Sequence, residues 1–201
     1  MRRLQNKNIV ISILPFFSIA LLFLLFIWLS FRTLMPSPIL DAAEAGDTVA
    51  LQDMLKNGAN IESLNGTEMT PLMRAAEFGH TETVKYLLAH GANLNAKDMS
   101  GFTALQVAAS PGGHTETVRY LLAAGANPND TDREGRTPLI WASAYGNPET
   151  VSALLTAGAK VNIRDNQGKT ALMITRGDRQ ELTGNTGNPT SEKLLIAAGA
   201  K

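Results

Sequence analysis

Cysteine is absent from the 201 residues of this chain. No disulfide, catalytic thiol, zinc–thiolate centre or acylated-cysteine lipoprotein anchor can be built from it. A basic excess is missing too. Lys+Arg and Asp+Glu both number 18, so the formal net charge is zero. The charges are unevenly spread: residues 1–35 hold Arg2, Arg3, Lys7 and Arg32 and no acid, which leaves 14 basic and 18 acidic residues, a net of −4, for the rest. Phosphate binding needs a basic stripe, so nucleic acid is not expected as a partner. Histidine occurs only at His80, His90 and His114. No Ser/His/Asp set, carboxylate dyad, ligand cluster or glycine-rich phosphate loop can be discerned. Catalytic residues, cofactor-binding residues and metal ligands are therefore all expected to be none, and the chain is not expected to be an enzyme or to take a small-molecule substrate.

What is present begins with an apolar run. Residues 9–31 contain no charge, and Ser12, Ser18 and Ser30 are their only polar side chains. As a helix at about 1.5 Å per residue, this run is long enough for the roughly 30 Å hydrocarbon core of a bilayer. Trp28 and Arg32 stand at its far end, where an interfacial aromatic and a snorkelling cation belong. A cleaved signal peptide is the alternative. That reading needs a shorter apolar core ending in a small-x-small site, and Ser30-Phe31-Arg32-Thr33 is a poor one. The positive-inside bias puts residues 1–8 in the cytoplasm. The remainder then faces the periplasm or exterior of a single-pass protein of the inner (plasma) membrane, with a bacterial periplasmic setting preferred. Residues 32–37, with Pro36, read as a short stiff linker into a domain over 38–201.

That domain is periodic. Gly-Ala-Asn or Gly-Ala-Lys begins at Gly58, Gly91, Gly125 and Gly158, at intervals of 33, 34 and 33 residues, and Gly199 opens a related Gly-Ala-Lys. In phase with it run Thr70-Pro71-Leu72, Thr103-Ala104-Leu105, Thr137-Pro138-Leu139 and Thr170-Ala171-Leu172. Two motifs at one period mean a stack of repeated units. Each threonine is suited to cap a helix and each proline to its first position. In residues 65–98, Leu72, Ala75 and Ala76 form an apolar stripe on a first helix ended by Gly79. Thr81 is expected to cap a second helix running to about His90, with Val84, Leu87 and Leu88 inward and Gly91 at positive φ. A polar, turn-rich finger follows. No unit can bury its leucines alone, so the units must stack.

The segments Thr70-Pro71-Leu72-Met73-Arg74-Ala75-Ala76, Gly79-His80, Val84, Leu87-Leu88 and Gly91-Ala92-Asn93 resemble the ankyrin repeat. So do their counterparts Gly113-His114, Leu121-Leu122 and Leu154-Leu155. The resemblance covers residues 38–201 in units of about 38–65, 66–98, 99–132, 133–165 and 166–201. It implies an all-α repeat solenoid of helix-turn-helix units with β-turn fingers, here preceded by one transmembrane helix. The first unit lacks Thr-Pro-Leu and looks like an amino-terminal cap. The last carries an inserted loop over 177–190, since 29 residues separate Thr170 from Gly199 where 21 separate Thr70 from Gly91. The histidine the family often has after Thr-Pro-Leu is replaced by Met73, Gln106, Ile140 and Met173, which is expected to lose a hydrogen bond and loosen the fingers. Asp98, Asp132 and Asp165 recur with the period as finger residues bonding their own backbone.

The resemblance also implies a protein partner, held by the finger tips and the open face of the first helices. Mapped here, those positions give Met69, Met99, Phe102, Arg133, Glu134, Arg136 and Lys169 on the fingers and Glu77, Phe78 and Tyr145 on the helices. Ser110 and Ala144 fall on the same face. Trp141 is assigned to packing between units. Exposed aromatics flanked by arginine are what interface anchors look like. The expected function is a membrane-tethered interaction module or scaffold. A secreted form that binds or inhibits a partner after signal-peptide cleavage is the alternative.

Overall fold

The threonine recurring once per period starts the first helix of its unit. Thr70, Thr103, Thr137 and Thr170 all have extended backbone, and their hydroxyl oxygens accept from the amides of Met73, Gln106, Ile140 and Met173. One orphan donor of each first turn is thereby satisfied. The computed structural model describes residues 37–177 and 188–201. Its helices are α1 Pro38–Ala45, α2 Thr48–Lys56, α3 Pro71–Glu77, α4 Thr81–Ala89, α5 Ala104–Ala109, α6 Thr115–Ala123, α7 Pro138–Tyr145, α8 Pro148–Thr156, α9 Ala171–Arg176 and α10 Pro189–Ala197. No strand occurs among the described residues.

Consecutive helices pair within a unit, and units stack. The odd-numbered helices pack side by side in one layer, and the even-numbered helices in a second. Ala75, Ala76, Ala108, Ala109 and Ala142 are fully buried in the first layer, where small side chains let helices approach closely. Leu51, Leu87, Leu121, Leu154 and Leu195, one per unit, are fully buried on the second layer. A single continuous core runs along the stack.

Hydrogen bonds between units account for several recurring residues. Thr81 is not the cap of α4: His80 holds that position, and the Thr81 hydroxyl instead meets the Thr117 hydroxyl of the next unit at 2.7 Å. Thr48 meets Thr83 at 2.8 Å and Thr115 meets Thr150 at 2.9 Å, so each pair joins neighbouring second helices. His80 and His114 occupy cap positions without a side-chain capping bond. Their rings lie over glycines of the preceding unit, Gly46 and Gly79, and His80 Nε2 bonds the Glu44 carbonyl at 2.7 Å.

The fingers are built from one turn used repeatedly. Asp98 Oδ1 accepts from the amides of Ser100 and Phe102, Asp132 Oδ1 from those of Glu134 and Arg136, and Asp165 Oδ1 from those of Gln167 and Lys169. Asn65 does the same for Thr67 and Met69. The amides of Met99, Arg133 and Asn166 then donate to Thr67, Ser100 and Glu134 of the preceding finger at 2.8–3.0 Å.

Two further expectations are revised. Gln106 does not loosen its finger: Oε1 accepts from the Thr103 amide at 3.0 Å and Nε2 donates to the Arg136 carbonyl of the next finger at 2.9 Å. A carboxamide there supplies a bond between units that an apolar residue cannot. The inserted loop ends earlier than 190. Asn188 accepts from the amides of Thr190 and Ser191 and caps α10, which begins at Pro189; Asn147 and Pro148 hold the same two positions at α8, without a side-chain capping bond. The rest of the insertion, residues 178–187, lies outside the described residues, as does the apolar run 9–31. Among the described residues no helix is long and apolar enough to cross a membrane.

Candidate binding groove

Outside residues 1–36 the chain has six aromatic residues of the Phe, Tyr and Trp types: Phe78, Tyr86, Phe102, Tyr120, Trp141 and Tyr145. Tyr86 and Tyr120 belong to the second-helix layer, on α4 and α6. The other four belong to first helices and fingers, and they fall into two clusters.

The first cluster belongs to the first two units. Arg74 on α3 pairs with both Glu44 of α1 and Glu77 of its own helix, and its guanidinium lies 5.0 Å over the ring of Phe78. Phe78 stacks against His80 at 6.4 Å on one side and remains 43% exposed. A large apolar ring left this open beside a neutralised guanidinium is a ready contact surface.

The second cluster is centred on Trp141 of α7. Its indole has Phe102 at 5.2 Å, Tyr145 stacked at 6.0 Å one helical turn on, and the Arg136 guanidinium at 4.2 Å. Indole Nε1 donates to Asp132 Oδ2 at 3.0 Å, and Arg136 Nε donates to the same oxygen at 2.9 Å. Arg136 also reaches Glu134 at 2.7 Å. The Asp132 side chain is fully buried, so its carboxylate and these donors are largely shielded from water. Burial pushes the Tyr145 hydroxyl above its ordinary pKa, against a smaller opposing pull from Arg136.

The expected contact residues divide accordingly. Phe78, Met99, Arg133 and Glu134 are exposed, Met99 to 46%. Glu77, Phe102, Arg136, Tyr145 and Lys169 are half-buried. Met69 is not at the surface. It is 9% exposed and packs into the core, because the base of a finger lies between two first helices and a long apolar side chain folds inward there. Ser110 and Ala144 are buried as well, Ser110 Oγ bonding the Gln106 carbonyl at 2.7 Å. Trp141 is buried, as its packing assignment implies, yet it is also the hub of the groove cluster. The sequence reading assigns Asp132 only to its own turn, and not to the indole it holds. The spacing from Asp132 to Trp141 was the available signal, but Asp98 and Asp165 share the finger position without an indole to reach. Among the described residues no group of three or more His, Asp or Glu is placed to hold a metal ion.

Paired short helices, glycine-ended turns and hydrogen-bonded fingers define a helical repeat protein of the interaction-module kind. The family model for ankyrin repeats (3 copies) matches residues 39–132 and 113–178. The chain belongs to the ankyrin repeat family, whose repeats are protein–protein interaction modules. Comparison with curated proteins gives no match.

Proposed function

We propose that this protein is a membrane-tethered ankyrin module that binds a partner protein through the groove formed by its first helices and fingers. One observation carries the reading: Phe78 and Met99 stand exposed at the end of a first helix and on a finger, and Phe102, Trp141 and Tyr145, on the same kinds of element, form one aromatic cluster. The mechanism is surface complementarity. Phe78, Met99 and the half-buried Phe102 and Tyr145 supply apolar contact, while Arg133, Glu134 and Lys169 form a charged rim that sets register.

The apolar run 9–31 and the basic residues before it support a single-pass anchor with the repeats on the far side of the membrane. Tethering raises the effective concentration of the module toward partners at that membrane. A phosphatase reporter fused after Lys201 tests this part: activity in cells places the repeats outside the cytoplasm, and an inactive, intact fusion refutes it.

The groove is tested by a photo-reactive residue at Met99 of the full chain in cells, with Val49, 68% exposed on α2, as the control position. A discrete adduct from 99 and none from 49 is expected. No adduct at 99, with the protein intact, removes the groove as the partner site.

A further inference from the structure

The finger turn uses one side-chain oxygen, Oδ1 of an Asn or Asp, at each of four fingers. Asn65, Asp98, Asp132 and Asp165 each accept two backbone amides on Oδ1, separated by two and four residues from the acceptor. Asn65 shows that a carboxamide suffices for this turn. Only Asp132 has a described bond from its second oxygen to a side chain on a first helix. Its Oδ2 receives both Trp141 Nε1 and Arg136 Nε, at 3.0 and 2.9 Å, with its side chain fully buried.

The consequence is geometric. Trp141 contacts Phe102, Tyr145 and Arg136. Fixing the indole N–H to the finger fixes the plane on which Phe102 and Tyr145 rest. Holding Arg136 on the same oxygen keeps its guanidinium over the indole instead of in solvent. One charge-assisted bond, from Trp141 Nε1, thus joins the third finger to α7, and a second, from Arg136 Nε, is made within that finger; such bonds are shorter and stronger than neutral ones.

We propose that Asp132 is the positioning residue of the groove: its second carboxylate oxygen locks the third finger to Trp141 and sets the Phe102–Trp141–Tyr145 surface before a partner arrives. This rests on the groove being the partner site. Asp132 acts through Trp141 and Arg136 and does not itself touch the partner. Preorganising a surface raises affinity by reducing the ordering cost at binding.

Asp132→Asn isolates this role. The carboxamide retains the turn, as at Asn65, but turns an N–H₂ toward two donors that it cannot accept from. Trp141→Phe is the complementary variant, keeping a ring and deleting the donor. Two readouts apply to the full chain. The first is the indole N–H resonance of Trp141, observed in a Trp28→Phe background so that a single indole remains. It is expected downfield, as for a proton held by a carboxylate, and should move upfield in Asp132→Asn. The second is the yield of the Met99 adduct at fixed protein level, expected to fall roughly tenfold in both variants, the equivalent of about 1.4 kcal/mol. An unmoved indole resonance, or an adduct yield unchanged in both folded variants, overturns the proposal. Loss of stability with full adduct yield also overturns it, by reducing Asp132 to a structural residue. A native chain that gives no Met99 adduct refutes the groove reading first, and is distinguished by that result.

Discussion

Gly79 and Gly91 allow the backbone cost of a side chain to be separated from its contact cost. Both lie in the left-handed region, at φ +73° and +88°. A Cβ on Gly91 would meet nothing within 4 Å, whereas one on Gly79 would sit 2.6 Å from Cγ of His114. Gly91→Ala therefore carries only the conformational penalty of an L-residue there, about 1–2 kcal/mol. Gly79→Ala carries the same penalty plus displacement of a ring that is also held against Gly112, an overpacking cost of about 1–3 kcal/mol more. For a chain of this size each kcal/mol moves the midpoint by about 2–4 °C. Thermal unfolding followed by circular dichroism should then show a drop of roughly 2–8 °C for Gly91→Ala and a clearly larger one for Gly79→Ala. Adding His114→Ala to Gly79→Ala should remove the excess, so the double variant loses less than the sum of the singles. Equal losses for the two glycine variants, or strict additivity with His114→Ala, would refute the stacking of each histidine on its neighbour's glycine.

Other consequences follow from single residues. Glu68 holds φ +63° at the finger position where Gly101, Gly135 and Gly168 sit, so Glu68→Gly should stabilise the stack by about 0.5–1 kcal/mol, seen as a raised urea midpoint. Gln106→Leu removes a capping box and the bond to the Arg136 carbonyl; unfolding should report a loss of about 1–3 kcal/mol from the unpaired backbone groups. Thr117→Val leaves the Thr81 hydroxyl without its partner and should cost about 1 kcal/mol in the same assay. Tyr145 ionises above its ordinary value in the folded chain, so the unfolded chain loses that proton first. Its contribution is complete below the ordinary tyrosine pKa of about 10 and is lost as pH rises through the folded value. Tyrosinate absorbance of the native chain minus Tyr145→Phe should show this late ionisation.

The periodic parts of the structure were legible because they follow from local rules. A threonine before an apolar stripe caps a helix, a glycine at its end turns the chain, and an acid in the finger bonds its own backbone. Thr70, Gly91 and Asp98 each do this. What was not legible depends on the neighbouring unit. Thr81 looks like a cap until Thr117 is brought beside it, and Gln106 looks like a lost histidine until the Arg136 carbonyl comes within reach. Met69 and Phe102 share one sequence position, yet only Met69 is buried in the core, while Phe102 lies half-buried against Trp141. The position of Trp141 alone puts it in the packing; its bond to Asp132 exists only where the finger and α7 come together.

The groove as the binding surface is tested most directly by changing its exposed residues and nothing beneath them. Phe78→Glu with Met99→Glu alters side chains that are 43% and 46% exposed, and Val49→Glu alters one that is 68% exposed on α2. The full chain and each variant would be purified from cells and the mass of the complex measured by light scattering. The account predicts a defined complex for the native chain and for Val49→Glu, and the free chain for the groove variant. A complex of unchanged mass with both glutamates in the groove would contradict it.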